Sequence, residues 1–515
     1  MINREALNFL RNKKIALLGL GVENLALVKF LLRRSPAAET AAGQKQIGNP
    51  PRPRGAATPP GEGNIHITVC DPKSAAELGD RLLEIKELAR KNKLPEIILM
   101  TGKDYDKHLA DFDIIFRSPG YPLFNPNLLK AKKAGVEISS PMKSFFELCP
   151  SKNIIGVTGS KGKGTTSSLI YEIIKSAFAK ASADKGGRTT PSPSLGRRGI
   201  FLGGNIGTAP FEFIDKIKPK DWVVLELSSF QLEDLEMSPH IAVVTNLFKE
   251  HLAPADPHNP NYHRSMKDYW TAKANIFKYQ KKNDWLVINE QLKNKKEKIK
   301  NLGKIIYYGK SALPNNLIGE HNRENVAAAV AVAKILKIKP EIIAKAVKNF
   351  KGLPHRLEFV AEINGVRYFD DSFATVPDVS VIALKSFGDM TYTPRPRAAR
   401  VHPSQEGNII LLAGGADKGS DFEKFAKEIR KKVKYLILFR GKGTERLKEK
   451  LKNKKEKIPI IEVNDMKRAV KIAEQESELG DIVLLSAGCA SFGCFKNYKE
   501  RGDQFKKEVT SILKT

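Results

Sequence analysis

Short apolar runs that end in glycine and lead directly into helical segments recur along the whole chain. The run KKIALLGLG at residues 13–21 precedes the helical pattern NLALVKFLLRR, and NIIGVTG at 153–159 precedes a second helical pattern. The scheme starts again with NIILLAGG at 408–415. Further strand-like runs are IHITVCD at 65–71, EIILM at 96–100, DIIFRSPG at 113–120, WVVLELSSFQL at 222–232, IAVVTNLF at 241–248, VRYFDDSFAT at 366–375, KYLILFRGKG at 434–443 and IVLLSAGCAS at 482–491. Alternating strand and helix signals are typical of parallel sheets covered by helices. The sequence therefore predicts an α/β fold.

The length of the chain indicates how many such sheets to expect. With 515 residues it is too long for one ordinary hydrophobic core, so several domains are expected. The strand and helix pattern begins afresh near residues 151 and 353. We therefore predict three α/β domains, at 1–150, 151–352 and 353–515.

Three segments interrupt this scheme. They lie at residues 35–64, 181–199 and 391–407, are rich in Pro, Arg, Ala, Ser or Gly, and follow neither hydrophobic period. Such sequences bury too little apolar surface to fold alone, so we expect them to be mobile surface insertions. A docking segment for a partner is the alternative interpretation.

Composition narrows the class of protein. The hydrophobic fraction of 41% and charged fraction of 28% are typical of globular proteins, and no apolar run reaches the ~20 residues of a membrane-spanning helix. The N-terminal residues lack the apolar core of a secretory signal, which favours the cytoplasm. Four cysteines fit neither a disulfide framework nor a metal cluster, so we interpret Cys489 and Cys494 as core or loop residues.

The formal net charge of +30 invites a nucleic-acid hypothesis, because a basic field attracts phosphate polymers. The lysines are nevertheless spread through helical surface segments such as QLKNKKEKIK at 291–300 and KEKLKNKKEK at 448–457. They form no stripe with interleaved aromatic residues. A solvated basic surface that attracts small anionic substrates is favoured, and a non-enzymatic nucleic-acid-binding protein stays as an alternative.

The sharpest local signal is TGSKGKGTT at 158–166, between a β-branched strand and a helix. Glycines there allow backbone N–H groups to converge on phosphate oxygens, and the helix N-terminus adds partial positive charge. We expect Lys163 to reach the outer phosphates and Thr165 a magnesium ion. The predicted loop comprises Gly159, Ser160, Lys161, Gly162, Lys163, Gly164, Thr165 and Thr166.

This loop departs twice from the generic phosphate loop. Val157 stands at the first glycine and Gly164 where the hydroxyl is expected, which excludes ordinary motor proteins and GTPases. The TGSKGKGTT spelling resembles the phosphate loop of the Mur ligase and folylpolyglutamate synthase superfamily. The resemblance continues in order through GGNIG at 203–207, ELSSFQL at 226–232, TN at 245–246, TAKANIF at 271–277, HN at 321–322, GLPHR at 352–356, DDSFAT at 370–375 and SAGCASFGCFKNY at 486–498.

The ELSSFQL and FKNY stretches are most similar to the family branch that joins D-glutamate to UDP-N-acetylmuramoyl-L-alanine. The resemblance implies an ATP-dependent ligase of peptidoglycan synthesis that works through an acyl phosphate. It also implies a Rossmann-like N-terminal domain at 1–150, a central P-loop ATPase-type domain at 151–352 and a Rossmann-like C-terminal domain at 353–515. It implies ATP and Mg²⁺ as cofactors, small-molecule substrates, a monomer, and no nucleic acid or membrane as partner. Another Mur-type ligase and a folylpolyglutamate synthase-like ligase remain alternatives.

Two residues suggest a metal site. Glu226 ends a buried strand, where a carboxylate needs a cation, and His251 lies in the loop after the next strand, so the pair is able to hold magnesium. The resemblance implies that it does; a salt-bridged strand end for Glu226 and an ordinary loop histidine for His251 are the alternatives. Lys273 lies in an apolar helical stretch, and burial of an amine lowers its pKa. The resemblance implies that this lysine is carbamylated and binds a second Mg²⁺.

The resemblance also implies how ATP is bound. Asn322 and Asn325 would meet the base side, Asp371 the ribose and Arg356 the γ-phosphate. A planar guanidinium suits moving phosphoryl charge. His355 would orient the site. The catalytic set is then Lys163, Glu226, His251, Lys273 and Arg356, with Thr165, Glu226, His251 and Lys273 at the metals.

The substrate sites follow from the resemblance as well. The G-x-G turn at 19–21 has Asn24 in place of a third glycine, so NAD is poorly supported and the UDP part of the substrate is implied instead. Phe373 replaces a lysine that is frequent in the family, which leaves the amino acid open. The implied contacts are Val22, Glu23, Asp71, Ser118, Pro119, Gly120, Asn205, Ser228 and Gln231, and for the amino acid Lys418, Ser491, Phe492 and Tyr498.

Overall fold

A computed structural model describes most of the chain. The described residues are 10, 12–34, 65–183, 198–253, 260–293, 302–388, 409–417, 419–452 and 458–513. They form two compact units, of which the first comprises Met1–Ser311 with Glu324–Ile343 and the second Ala312–Arg323 with Ala344–Thr515. Two sheets lie in the first unit and one in the second.

The first sheet has five parallel strands in the order β3-β2-β1-β4-β5. Its strands are β1 Lys14–Leu18, β2 His66–Asp71, β3 Ile98–Thr101, β4 Ile114–Arg117 and β5 Glu137–Ser139. Its helices are α1 Val22–Arg34, α2 Ala75–Lys91, α3 Pro126–Lys133 and α4 Pro141–Leu148. The strand order reverses between β1 and β4, and in such sheets ligands bind beyond the carboxyl ends of the strands at this point.

The second sheet has six parallel strands in the order β11-β10-β9-β6-β8-β7. Its strands are β6 Ile154–Thr158, β7 Ile200–Gly204, β8 Trp222–Glu226, β9 Ile241–Val244, β10 Trp285–Asn289 and β11 Lys304–Tyr308. The helices of this region are α5 Lys163–Ala183, α6 Ser229–Leu232, α7 Met266–Lys278, α8 His321–Ile335 and α9 Pro340–Asn349. Because β6 pairs with both β8 and β9, the ends of these three strands lie side by side.

The third sheet has the order β12-β13-β17-β14-β15-β16, and only the β12–β13 pair is antiparallel. Its strands are β12 Glu358–Ile363, β13 Val366–Asp370, β14 Ile409–Gly414, β15 Val433–Phe439, β16 Ile460–Val463 and β17 Ile482–Leu485. Its helices are α10 Pro377–Gly388, α11 Glu423–Lys432, α12 Lys442–Leu451, α13 Met466–Gln475 and α14 Tyr498–Ile512. Alternate residues of β14 enter two separate cores, Leu411 on one face and Ile410 on the other. Burial on both faces explains why this strand is apolar throughout.

The first two sheets share one hydrophobic core. Phe30 of α1 and Phe145 of α4 both pack against Phe211, with ring centroids 5.1 Å and 6.1 Å apart. Phe211 lies between β7 and β8, so the helices of the first sheet rest on a loop of the second. Aromatic pairs of this kind add to the free energy gained from burial.

The predicted fold class is confirmed, since three α/β sheets occur in the predicted order. The sequence did not predict β5, β7, β10, β11, β12 or β16, of which several are short and half-exposed edge strands. Two predicted insertions, 35–64 and 391–407, lie outside the described residues. Of the third, predicted at 181–199, residues 181–183 belong to α5 and residues 184–197 lie outside the described residues. No helix among the described residues is long and apolar enough to cross a membrane.

The four cysteines are free thiols. Cys489 is buried and Cys494 half-buried. This agrees with their interpretation as core or loop residues.

Candidate functional site

The glycine-rich loop connects β6 to α5 and has little room for side chains. Gly159 and Gly162 have φ values of +146° and +80°, which L residues rarely adopt. A Cβ at position 159 would lie 1.8 Å from Thr245 Oγ1, and one at position 162 would lie 2.1 Å from Asn325 Oδ1. These two glycines are therefore required by close packing as well as by backbone conformation.

The segment that follows β9 holds the loop in place. The Lys161 backbone N–H donates to Asn246 Oδ1 at 2.8 Å, and Thr245 Oγ1 donates to the Lys161 carbonyl at 2.6 Å. The Phe248 N–H donates to Ser160 Oγ at 2.9 Å. The loop conformation is thus fixed from outside the loop, as a pre-organised phosphate site requires.

Two amines meet at one carbonyl of the loop. Lys163 Nζ donates to the carbonyls of Gly159 and Ser160, each at 2.9 Å, and Lys273 Nζ donates to the Gly159 carbonyl at 2.8 Å. Lys273 lies on α7 and is 1% exposed. Burial and the positive charge of Lys163 hold the pKa of Lys273 well below its usual value, against the opposing charges of Glu250 and Glu226. A buried amine with a low pKa is able to react as the neutral form.

Glu226 ends β8 beside this cluster. The side chain is buried, and its Oε1 accepts a hydrogen bond from Asn205 Nδ2 at 2.7 Å. Its Oε2 is buried and has no hydrogen-bond partner among the described residues. An orphaned carboxylate oxygen in a buried position is costly unless a cation meets it. This oxygen fits the predicted magnesium site.

His251 lies in the loop after β9, with a φ of +58° and an edge-on contact to the Phe230 ring at 5.1 Å. The sequence prediction missed its neighbour Glu250. The Glu250 carboxylate accepts from Tyr269 Oη at 2.5 Å and lies 3.5 Å from Lys161 Nζ. Burial raises the pKa of Glu250, but the Tyr269 hydrogen bond and the nearby lysines together lower it by more. The pKa of Glu250 therefore lies below its usual value. The signal for this residue was the KEH sequence at 249–251.

The remaining loop residues lie in the first turn of α5. Thr165 is half-buried, while Gly164 and Thr166 are buried. Thr166 Oγ1 donates to Asn325 Oδ1 at 3.3 Å, which joins α5 to α8. Asn325 therefore contacts the loop, as part of the packing that surrounds Gly162.

A cleft of about 440 Å³ opens at the switch point of the first sheet. It is lined by all six of the residues predicted to hold the UDP part of a substrate in the first domain, namely Val22, Glu23, Asp71, Ser118, Pro119 and Gly120. Lys73 and Arg81 also line it and were not predicted. They place positive charge beside the turn.

Asp71 has a structural task in this cleft. Its carboxylate accepts hydrogen bonds from the N–H groups of Leu20 at 2.7 Å and Lys73 at 2.9 Å. Asn24 donates to the Gly19 carbonyl at 2.7 Å and to the Phe116 carbonyl at 3.1 Å. Asn24, which stands in the place of a third glycine, therefore ties the turn to β4 through its side chain.

Glu23 and Gln231 link the G-x-G turn to α6. Gln231 Nε2 donates to Glu23 Oε1 at 2.6 Å, and burial raises the pKa of Glu23 to about 7. Gln231 Oε1 accepts from the Ser228 N–H, and Ser228 Oγ caps the helix by accepting from the Gln231 N–H. Gln231 is buried, and its hydrogen bond to Glu23 holds α6 against the first sheet. Both residues were predicted to contact the substrate.

Arg117 is the centre of a buried junction that the sequence prediction also missed. It ends β4 with a fully buried side chain, and its guanidinium donates to the carbonyls of Tyr121 at 2.7 Å and Phe230 at 3.0 Å. It pairs with Asp234 at 3.1 Å and lies 3.4 Å from Glu233. A charged residue in the otherwise apolar DIIFR strand was the available signal.

In the second unit, Arg356 lies between two residues with left-handed backbone conformations. His355 and Leu357 have φ values of +65° and +46°. The His355 ring contacts Asp370 Oδ2 at 2.8 Å, and the Leu357 N–H donates to Asp371 Oδ1 at 3.2 Å. Burial raises the pKa of Asp371 to about 7. Non-glycine residues keep such conformations only where the surroundings enforce them.

His355, Glu358 and Asp370 lie close enough to share a cation. Lys506 Nζ already lies 3.1 Å from Glu358 and 3.9 Å from Asp370, so this acidic group is neutralised by a side chain.

The other predicted residues of the second unit are more scattered. Asn322 is buried, and its Nδ2 donates to the Ile318 carbonyl at 2.7 Å. Ser491 is buried, whereas Phe492 is 62% exposed. Tyr498 begins α14 and packs edge-on against Phe373, with centroids 5.0 Å apart. Lys418 lies outside the described residues.

Two family models match the chain. Residues 157–316 match the Mur ligase middle domain, and residues 355–489 match the Mur ligase, glutamate ligase domain. The first match begins at the glycine-rich loop, and the second contains Arg356, Asp371 and Phe373.

Curated relatives match over nearly the full length. The UDP-N-acetylmuramoylalanine–D-glutamate ligase of Clostridium tetani (strain Massachusetts / E88) is 35% identical over 534 aligned positions, which cover 98% of each chain. The enzyme of the same name from Clostridium botulinum (strain Langeland / NCTC 10281 / Type F) is 34% identical with the same coverage.

Solved structures share the fold at low sequence identity. MurF ligase from Thermotoga maritima in complex with ADP has a TM-score of 0.51 and 16% identity, covering 87% of this chain and 96% of that one. UDP-N-acetylmuramate-alanine ligase MurC from Thermotoga maritima has a TM-score of 0.50 and 15% identity, covering 97% and 100%. With two matching family models and relatives that are similar from end to end, this chain belongs to the Mur ligase family.

Proposed function

We propose that the protein joins D-glutamate to UDP-N-acetylmuramoyl-L-alanine and hydrolyses ATP to ADP and phosphate in doing so. The observation that carries this proposal is the meeting of Lys163, Lys273 and Glu226 at the ends of β6 and β8, in a chain that resembles ligases of this name throughout. A phosphate loop, a low-pKa amine and an orphaned carboxylate oxygen together suit transfer of a phosphoryl group.

In this proposal the loop at 159–166 and Lys163 bind the phosphates of ATP. Asn322 and Asn325 would contact the base side, Asp371 the ribose and Arg356 the γ-phosphate. Two features support the assignment of the loop to the phosphates: its conformation is fixed by hydrogen bonds, and the N-terminus of α5 supplies backbone N–H groups and partial positive charge.

Magnesium would be held by Glu226, His251 and Thr165, and a carbamate on Lys273 would hold a second ion. The orphaned Glu226 oxygen and the hard oxygen donors support magnesium at this place. When bound, the metal neutralises charge on the phosphates. Glu250, with its lowered pKa, keeps a negative charge beside Lys161.

The chemistry has two steps. The carboxylate of the UDP substrate attacks the γ-phosphorus of ATP, so that an acyl phosphate forms and ADP leaves. The amine of the amino acid then attacks the acyl carbon, the amide bond forms and phosphate leaves. Lys163 and Arg356 would stabilise the charge that develops on the transferred phosphoryl group, and the remaining residues position the reactants.

We assign the UDP part of the substrate to the cleft of the first sheet, where Val22, Glu23 and the turn at 118–120 line the wall. Asn205, Ser228 and Gln231 would lie along its path to the ATP loop. In the third domain, Lys418, Ser491, Phe492 and Tyr498 would contact the amino acid. The three domains at 1–150, 151–352 and 353–515 would thus bind the UDP substrate, ATP and the amino acid. A monomer in the cytoplasm remains the sequence-based prediction.

ADP release by the purified full-length protein tests this function. We expect release that requires ATP, Mg²⁺, UDP-N-acetylmuramoyl-L-alanine and D-glutamate together, and loss of at least about 100-fold in Lys163→Ala. A panel of D- and L-amino acids identifies the second substrate. Release that depends on a folate, or that is stimulated by DNA or RNA, would contradict the proposal and support one of the alternatives.

A further inference from the structure

We propose that Phe373 is a positioning residue that holds the Arg356 guanidinium on its ring face in the orientation needed for phosphoryl transfer. This inference rests on the proposed function, in which Arg356 stabilises the γ-phosphate. The two side chains lie in the same unit, and the Arg356 guanidinium carbon is 3.8 Å from the centroid of the Phe373 ring. A guanidinium at this distance from an aromatic face is attracted by the negative charge of the π system.

The ring that carries Arg356 is itself held from its edge. Tyr498 packs against Phe373 with an interplanar angle of 83°, and against His355 at 6.0 Å with an angle of 84°. Edge-to-face pairs fix the orientation of a ring, because its positive edge meets the negative face of its neighbour. The Phe373 N–H also donates to the His355 carbonyl at 3.0 Å. The platform and the segment that bears Arg356 are therefore joined through backbone and side chain.

The backbone on both sides of Arg356 is fixed as well. The His355 N–H donates to Glu358 at 2.8 Å, and the Arg356 N–H donates to the Leu353 carbonyl at 3.2 Å. His355 and Leu357 keep their left-handed conformations through their contacts with Asp370 and Asp371. A flexible arginine would lose side-chain entropy when it meets the phosphate. An arginine already held on Phe373 has less to lose, so its charge is delivered in one orientation.

This positioning role also explains why phenylalanine stands at position 373, where a lysine is frequent in the family. A lysine at this position would bring a second cation to the place now taken by the ring, next to the Arg356 guanidinium. Like charges at that separation repel each other. With phenylalanine the same position attracts the arginine, so it acts on the nucleotide side of the reaction.

The test compares Phe373→Leu and Phe373→Met, which remove the π face, with Phe373→Trp, which keeps it. The matched control is Phe359→Leu, the same change at a phenylalanine that is 53% exposed in the same unit. We expect kcat to fall about 3- to 30-fold in the first two variants and to stay within about 2-fold of the unmodified protein in Phe373→Trp and the control. The thermal midpoint should be unchanged, and because Tyr498 packs on Phe373 the KM for D-glutamate should change, but by a smaller factor than kcat.

A double-mutant cycle with Arg356→Lys separates positioning from general packing. If Phe373 acts through Arg356, Phe373→Leu should change kcat by less than about 2-fold in the Arg356→Lys background, since a lysine lacks the planar group that stacks. An equal loss of kcat in both backgrounds would overturn the inference, and so would a change confined to the KM for D-glutamate. Arg356→Lys with full activity would overturn the proposed role of Arg356 itself. An impaired Arg356→Lys together with an unaffected Phe373→Leu would overturn only the platform.

Discussion

Lys273 shows how the fold changes the chemistry of one side chain. From the sequence it was predicted to be partly buried, but an amphipathic surface lysine would have had the same local pattern, so the prediction relied on resemblance. In the structure its amine contacts the Gly159 carbonyl and lies 4.6 Å from the centroid of the Tyr269 ring. Tyr269 lies one turn earlier on the same helix, but Gly159 is distant in sequence, and no local pattern reports that contact.

Replacing Lys273 by alanine should abolish most of the activity. We expect kcat to fall on the order of 100- to 1,000-fold, because a ligand or charge at the phosphate site is removed. Short carboxylates such as acetate should restore part of the ADP release if the amine normally carries a carbamate. The control is Lys278→Ala, an exposed lysine at the end of the same helix, for which kcat should change by less than about 2-fold. Full activity of Lys273→Ala would contradict the assignment.

The raised pKa of Asp371 makes a prediction for stability. Its folded pKa of about 7 exceeds the ordinary value of 3.8, so the folded state keeps the proton while the unfolded state releases it. The stability that protonated Asp371 contributes, up to about 4 kcal/mol, is therefore fully present below about pH 4 and is lost as the pH rises to about 7. Chemical unfolding of the unmodified protein and of Asp371→Asn at pH 4 and pH 8 measures this. Between pH 4 and pH 8 the unmodified protein should lose more free energy of unfolding than Asp371→Asn does. An equal change in both proteins would contradict the raised pKa of Asp371.

At the scale of elements, the strands that define each site were largely predicted, but their mutual contacts were not. The DIIFRSPG run was predicted as a strand and ELSSFQL was recognised as a family motif, but neither pattern indicates that Arg117 of the first meets Asp234 just beyond the second. Their separation in sequence is long, and charge pairs across such distances leave no periodic signal. The glycine-rich loop was predictable because strand, turn and helix are contiguous in sequence.

Breaking the Arg117 junction should affect stability and substrate binding together. We expect Asp234→Asn to lower the free energy of unfolding by about 1–3 kcal/mol and to raise the KM for the UDP substrate, because the turn at 118–121 is anchored through Arg117. Asp104→Asn is the matched control, since its partner Lys107 is 60% exposed and such pairs contribute less than about 1 kcal/mol. Urea unfolding and steady-state kinetics provide the two readouts. Equal effects in the two variants would contradict a special role for the junction.

At the scale of the whole molecule, three sheets and the α/β class followed from pattern and length, and the missing detail lies at the sheet edges. Edge strands such as β16 are short and half-exposed, so they lack the apolar run that marks β14 or β17. The net charge of +30 is likewise a property of the whole chain. Its field extends beyond any one site and acts on every anionic substrate.

This charge predicts a dependence on salt. Raising NaCl from 50 to 500 mM shortens the screening length from roughly 14 to 4 Å, so the KM for the UDP substrate should rise several-fold. The change in kcat should be smaller, because buried groups such as Lys273 and Glu226 are less screened. Sucrose at equal osmolality is the control and should leave KM unchanged. A KM that is flat with salt would show that the positive surface does not attract this substrate.

The closeness of Gly162 to Asn325 has an evolutionary consequence. A side chain at position 162 would overlap the amide of Asn325, which also accepts from Thr166. An alanine at 162 would need a smaller residue at 325, and that loss would itself loosen the loop. Even then the alanine would have to adopt a φ near +80°, which L residues rarely do, so descendants of this sequence should keep both residues.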